Sequence, residues 1–214
     1  MFAYIIPIGI ILHQQFNSAM SKAARTKEFI IEKTAPLFNV KGYAGTSLND
    51  ITDATGLTKG SIYGNFMNKD EVAIAAFDHN LQCVEDIISQ EMSKHKTFQD
   101  KLLVYANVYE NFLKYPFPVG GCPILNTAIE ADDTHPALKE RAANAIYGWK
   151  NKIIALIQKG IDAKEFRADI NAEHTALTMI AMIEGGIMIT KLTGKLNYRK
   201  VVMQSVERVI RDLS

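Results

Sequence analysis

Residues 46–66, TSLNDITDATGLTKGSIYGNF, restrict the fold more than any other stretch of the chain. Ser47 and Asp50 have the S-x-x-D spacing of a capping box, in which side chains satisfy the free N–H groups that open a helix. Leu48, Ile51 and then Ala54 or Thr55 recur every three to four residues, giving that helix one inward face. Gly56 suits a helix end that must turn through left-handed backbone. Thr58 caps a second helix whose buried side is Ile62 and Phe66, and Leu57 with Ile62 takes the positions of a hydrophobic staple. Helix, glycine turn, capped helix is the helix-turn-helix arrangement.

The remainder also reads as helix. Residues 23–41 carry an apolar stripe through Phe29, Ile30, Ala35, Leu37 and Phe38. Pro36 should kink that helix, and Gly42 should close it. Asn68 and Glu71 open a long helix to about Lys94. Thr97 and Asp100 open the next, which Pro116 stops near Tyr115. The loop FPVGGCP leads to a short helix over 124–131 and the acidic turn ADDTHP. Pro136 fits the first position of a helix reaching about Ala163. Asn171 caps another to about Thr193, and 198–213 is the last. No segment alternates as a strand would, so the expected class is all-α with about nine helices. A three-helix head over 20–68 precedes a larger helical domain over 69–214.

Composition adds limits. The chain has 214 residues, 48% of them hydrophobic, and a net charge of +1, which argues neither for nor against nucleic acid. Cys83 and Cys122 lack metal-ligand spacing, and two isolated thiols fit a reducing, cytoplasmic setting. Residues 1–12, MFAYIIPIGIIL, are apolar but shorter than the about 20 residues a spanning helix needs. They also lack the charged start and cleavage site of a signal peptide. Residues 1–19 are therefore expected to be an extension outside the natural core, with no membrane partner.

The longer segment GYAGTSLNDITDATGLTKGSIYGNFMNKDEV resembles the DNA-binding head of the tetracycline-repressor (TetR/AcrR) family. Gly42, Tyr43, Thr46, Ser47, Ile51, Gly56, Leu57, Thr58, Gly60, Ile62, Tyr63, Phe66, Lys69 and Asp70 all fit that family's pattern. Asn65 departs from it where His or Tyr is commoner, as does Gly64 where a larger residue is usual. The resemblance implies a transcriptional regulator, most often a repressor, and not an enzyme. It implies a homodimer on a near-palindromic double-stranded operator, released by a small-molecule inducer, with no cofactor and no metal. On the reading helix, Lys59 and Ser61 are best placed for base edges, with Asn65 a further base contact. Thr58 and Tyr63 suit phosphates, Gly60 permits close backbone approach, and Lys69 adds charge at a helix N-terminus. Tyr43 and Thr46 are expected to contribute from the preceding loop.

In the second domain, Tyr105, Tyr109, Phe112, Cys122, Trp149, Met179, Met182 and Ile183 read either as the lining of an apolar ligand pocket or as ordinary core. Residues 176–189, ALTMIAMIEGGIMI, are apolar nearly all round, which suits a helix shared between the core and a partner. Gly185 and Gly186 would allow close helix approach. Ile187, Met188, Tyr198, Val202, Val206 and Val209 are the expected dimer face. Two alternatives compete: metal or proton chemistry at Glu130, Asp132, Asp133 and His135, and redox sensing at Cys122, whose plainer reading is a small buried hydrophobe.

Overall fold

The computed structural model describes residues 21–214. The expected extension over 1–19 lies outside the described residues. Among them the chain forms nine α-helices and no strand: α1 (Lys22–Gly45), α2 (Leu48–Thr55), α3 (Lys59–Tyr63), α4 (Lys69–Ser93), α5 (Phe98–Glu110), α6 (Pro123–Ala131), α7 (Pro136–Asp162), α8 (Ala172–Thr193) and α9 (Leu196–Arg211), with a 3-10 turn over Phe112–Lys114. The all-α expectation holds.

Most helix starts are set by the polar residues the sequence puts there. Ser47, Thr58, Asn68, Thr97 and Asn171 each accept a backbone N–H from three residues ahead. Helix α1 runs on through Pro36 with helical φ and ψ, and its break falls at Gly42 instead (φ 72, ψ 179). The helix from Thr97 is shorter than expected. It ends at Glu110, because Asn111 leaves helical values (φ −110, ψ 27) and a 3-10 turn carries the chain on toward Pro116. The last helix starts two residues early, at Leu196.

The head packs Ile30, Phe38, Ile51, Ile62, Phe66 and Val72 into one core between α1, α2, α3 and the start of α4. Helix α4 continues into the body, whose centre is Leu102, Val108, Ile153, Ile157, Met179, Ile183, Met203 and Ile210. Helix α8 is 22 residues long, longer than the apolar segment suggested. By length and composition it is the one described helix able to cross a membrane. Here its Ala176, Met179, Ile180 and Ile183 are buried, and it packs against α7 and α9. Gly186 makes that packing close, since a Cβ there would lie 3.1 Å from Val202 Cγ1; beside Gly185 there is open space.

This packing corrects part of the expected dimer face. Ile187 and Val206 are buried within the chain, turned toward its own core, and Val202 is half-buried against Gly186. Met188 and Tyr198 do face outward, Val209 is half-buried, and Leu177, Ile189, Leu192 and Val201 join the exposed stripe.

Candidate nucleic-acid interface

Helix α2 is held by the full capping box: Ser47 Oγ accepts from Asp50 N at 3.1 Å, and Asp50 Oδ2 accepts from Ser47 N at 2.8 Å. Lys41 Nζ lies 2.5 Å from Asp50, and with Ser47 it holds that carboxyl well below the usual carboxylate range. Gly56 takes left-handed backbone (φ 67, ψ 11) and its N–H closes on Thr52 O. Thr58 then caps α3, accepting from Ser61 N at 3.2 Å. Ile62 and Phe66 bury the inner side of this turn, which leaves Thr58, Lys59, Gly60 and Tyr63 on the outer side.

Two glycines in and beside so short a helix cost about 1 kcal/mol each in propensity; the fold confines Gly64, where an added Cβ would lie 3.2 Å from Gly60 O, but not Gly60. Gly64 has ordinary right-handed backbone (φ −74, ψ −16). At Gly60 the nearest atom to an added Cβ is Thr58 Oγ1, 3.9 Å away. The outer side of α3 therefore offers bare backbone flanked by an ammonium and a phenol, the chemistry that suits a phosphate backbone and the edge of a groove.

Three expected contact residues are placed differently. Thr46 is wholly buried and donates its hydroxyl to Gly42 O at 2.7 Å, so it locks the loop and is not free for phosphate. Tyr43 donates its hydroxyl to Asp70, which with partial burial and the Asp70 charge pushes the phenol up to about 12. Its ring packs edge-on to His135 at 4.4 Å, and Lys69 Nζ sits 4.1 Å over its face. Asn65 is half-buried and donates one of its two amide hydrogens to Ser61 O at 2.9 Å, which ties the side chain back along its own helix. Ser61 itself is half-buried.

A joint to the body lies behind this face, and the sequence reading missed it. Glu130 on α6 accepts two backbone N–H groups, Tyr43 N and Ala44 N, both at 2.7 Å. The carboxylate fills the space a side chain at Gly42 would need, since a Cβ there would fall 2.2 Å from Glu130 Oε2. Asn39 adds bonds to Val119 O (2.7 Å) and Gly121 O (2.9 Å), and Asn126 Nδ2 reaches back to Asn39 O at 3.0 Å. Single-residue patterns carry no signal for such a joint.

The joint also answers the metal alternative. Glu130 is engaged with α1, His135 Nδ1 accepts from Leu138 N to cap α7, and Asp132 and Asp133 point to solvent. Among the described residues no three His, Cys, Asp or Glu side chains gather as a metal site. Cys122 is buried and donates to Glu184 Oε1 at 2.9 Å. Burial and the neighbouring carboxyl push the thiol well above its ordinary value, the opposite of what a redox-sensing thiolate needs.

The body holds a cavity of about 350 Å³ between α4 and α7. Of the expected lining, Tyr105, Tyr109 and Trp149 are there, with Trp149 stacked on Tyr109 at 5.4 Å. Phe112, Cys122, Met179, Met182 and Ile183 are not. Met179 and Ile183 face the interior of α8, Cys122 faces Glu184, and Phe112 lies under the Arg199 guanidinium at 4.1 Å. Val84, Ile88, Met92, Ile124 and Leu156 take their place.

Residues 30–76 match the family model described as "Bacterial regulatory proteins, tetR family", and residues 99–206 match "Tetracyclin repressor-like, C-terminal domain". A TetR-family regulator from Cytophaga hutchinsonii has a solved structure 52% identical in sequence, covering 91% of this chain and 98% of its own, with a TM-score of 0.88. Another from Chloroflexus aurantiacus is 38% identical, covers 90% and 97%, and has a TM-score of 0.85. An uncharacterized HTH-type transcriptional regulator of Lactococcus lactis is 29% identical over 80% of this chain and 86% of its own.

Proposed function

The chain belongs to the TetR family of bacterial DNA-binding transcriptional regulators, and we propose that within it this protein is a homodimeric repressor released from its operator by a small apolar or amphipathic ligand. Residues 20–68 are the DNA-binding domain and 69–214 the ligand-binding and dimerisation domain, working in the cytoplasm. Lys59, Gly60 and Ser61 enter the major groove, with Thr58 and Tyr63 on phosphates. Lys69 contributes charge from beneath, and Tyr43 positions it.

One observation carries this reading. Helix α6 touches both ends of the signal: Ile124 lines the cavity, and Glu130, six residues on, holds the backbone of the head. A ligand that fits the cavity better in one setting of α6 shifts the head only through that difference in affinity. The exposed apolar stripe of α8 and α9, including Met188, Leu192, Tyr198 and Val201, supplies the two-fold contact.

A gel-shift titration on DNA flanking the gene tests it. Salt-sensitive binding is expected, and Lys59→Ala should lower the salt slope by about one charge. Tyr63→Ala should weaken binding with helicity and dimer mass unchanged. Binding indifferent to salt and to both substitutions overturns the assignment.

A further inference from the structure

Two acid–base pairs tie α4 to α7, advancing seven residues along α4 and eleven along α7. Asp78 Oδ2 meets Arg141 Nη1 at 3.5 Å, and Glu85 Oε1 meets Lys152 Nζ at 2.7 Å. Seven residues beyond Glu85, two turns along the same side of α4, stands Met92. Seven beyond Lys152, on the same side of α7, stands Lys159. Of these two, Lys159 brings a base and Met92 no acid, and both line the 350 Å³ cavity.

Nothing else supplies that acid. Lys159 makes no ion pair among the described residues, Glu91 is paired with Lys94, and Asp162 accepts from Gln158. Glu85, the one carboxylate in the lining, is already taken by Lys152. The charged residues of the lining therefore leave one uncompensated ammonium at the end of an otherwise largely apolar, aromatic groove.

We propose that the cavity's ligand is an amphipathic monoanion whose apolar body lies against Tyr105, Tyr109 and Trp149 and whose carboxylate, or an equally compact oxyanion, pairs with Lys159. This rests on the reading of the cavity as the inducer site. Competing neutral or cationic amphiphiles leave the ammonium unpaired or repel it, so the groove discriminates by charge as well as by shape.

The test is calorimetric titration of n-decanoate, n-decanol and decyltrimethylammonium into the full chain, with gel-shift release of bound DNA measured beside it. Decanoate should bind about fivefold more tightly than decanol, the upper range for a pair bordering solvent, and the cation more weakly than either. Lys159→Gln, on the solvent side of α7, should erase that preference. Met92→Glu should place a carboxylate in the lining and exclude decanoate more than decanol. Equal affinities in the wild type, or a preference that survives Lys159→Gln, overturn the proposal. If decanol and decanoate bind equally and both release DNA, the inducer site stands and its anion selectivity falls. If a Lys159-dependent preference appears without DNA release, the anion site stands and the inducer role falls. If none of the three binds, both fall.

Discussion

Gly42 and Glu130 are 88 positions apart, yet they should behave as one energetic unit. Glu130→Ala deletes two charge-assisted bonds to backbone N–H groups, one part-buried and one exposed. At about 1 kcal/mol each, the loss is about 2 kcal/mol. Gly42→Ala does more damage. Its φ of 72 with ψ of 179 lies where only glycine is at ease, costing about 2 kcal/mol for any other residue. The added methyl also collides with Glu130 Oε2, 2.2 Å away, so the carboxylate must leave and its bonds go too. The single Gly42→Ala variant should therefore lose about 4 kcal/mol. In the double variant the collision has no partner and only the backbone strain is new, so the total should stay near about 4 kcal/mol, not rise to about 6. Urea unfolding at one fixed protomer concentration measures all four corners of the cycle, since an oligomer's stability depends on concentration. Losses that add to within about 0.5 kcal/mol would mean the two residues act independently and would refute the reasoning.

Gly60→Ala should leave stability unchanged or raise it by up to about 1 kcal/mol, because backbone and space there are ordinary, while DNA affinity falls in gel shift. Glu184 is pushed up to about 7 by burial, offset in part by the Cys122 bond. The folded state thus holds a proton the unfolded chain gives up near its usual pKa. Stability should decline as pH rises from about 4.5 to 7 and then level, and Glu184→Gln should flatten that decline by a few kcal/mol in urea midpoints read across pH 5 to 8. Cys122 should resist a disulfide-exchange reagent in the native protein and react once urea unfolds it; rapid native modification, mapped by mass spectrometry, would revive the redox reading. Val201→Glu, on the exposed stripe, should shift the mass measured by light scattering from dimer to monomer with the helical content retained.

Local rules made the head legible. The caps at Ser47, Thr58 and Asn68 and the left-handed turn at Gly56 concern residues within four positions of one another, and the backbone obeys them. Asn111 was not legible in this way, because nothing nearby marks it as the place where α5 stops short of Pro116. The errors at the site share another cause. Thr46, Tyr43 and Asn65 suit DNA by residue type, but each side chain is bonded within the chain, to Gly42, Asp70 and Ser61. Periodicity also shows that a side of α8 is apolar without showing which neighbour covers it, so Ile187 turns to the core and not to a partner, and Met179 takes the core alternative of its two readings. Pairings across tens of residues, such as Glu130 with the α1 break or Cys122 with Glu184, have no local trace at all.

Three consecutive residues of α8 address three different surroundings. Glu184 is bonded to Cys122 beside α6, Gly185 opens outward beside no other atom, and Gly186 lets α9 in to contact. Successive positions on a helix point about 100° apart, which follows from 3.6 residues per turn, so this tripeptide works like the key on a shaft. Rolling α8 by one position would carry the acid of Glu184 to the open place of Gly185, and rolling it by two would press that side chain against Val202 and Met203. These contacts oppose rotation of α8 about its own axis. Any signal that crosses from the cavity to a second copy of the chain must then travel as a change of axis direction, with each stripe keeping the same residues toward its partner throughout.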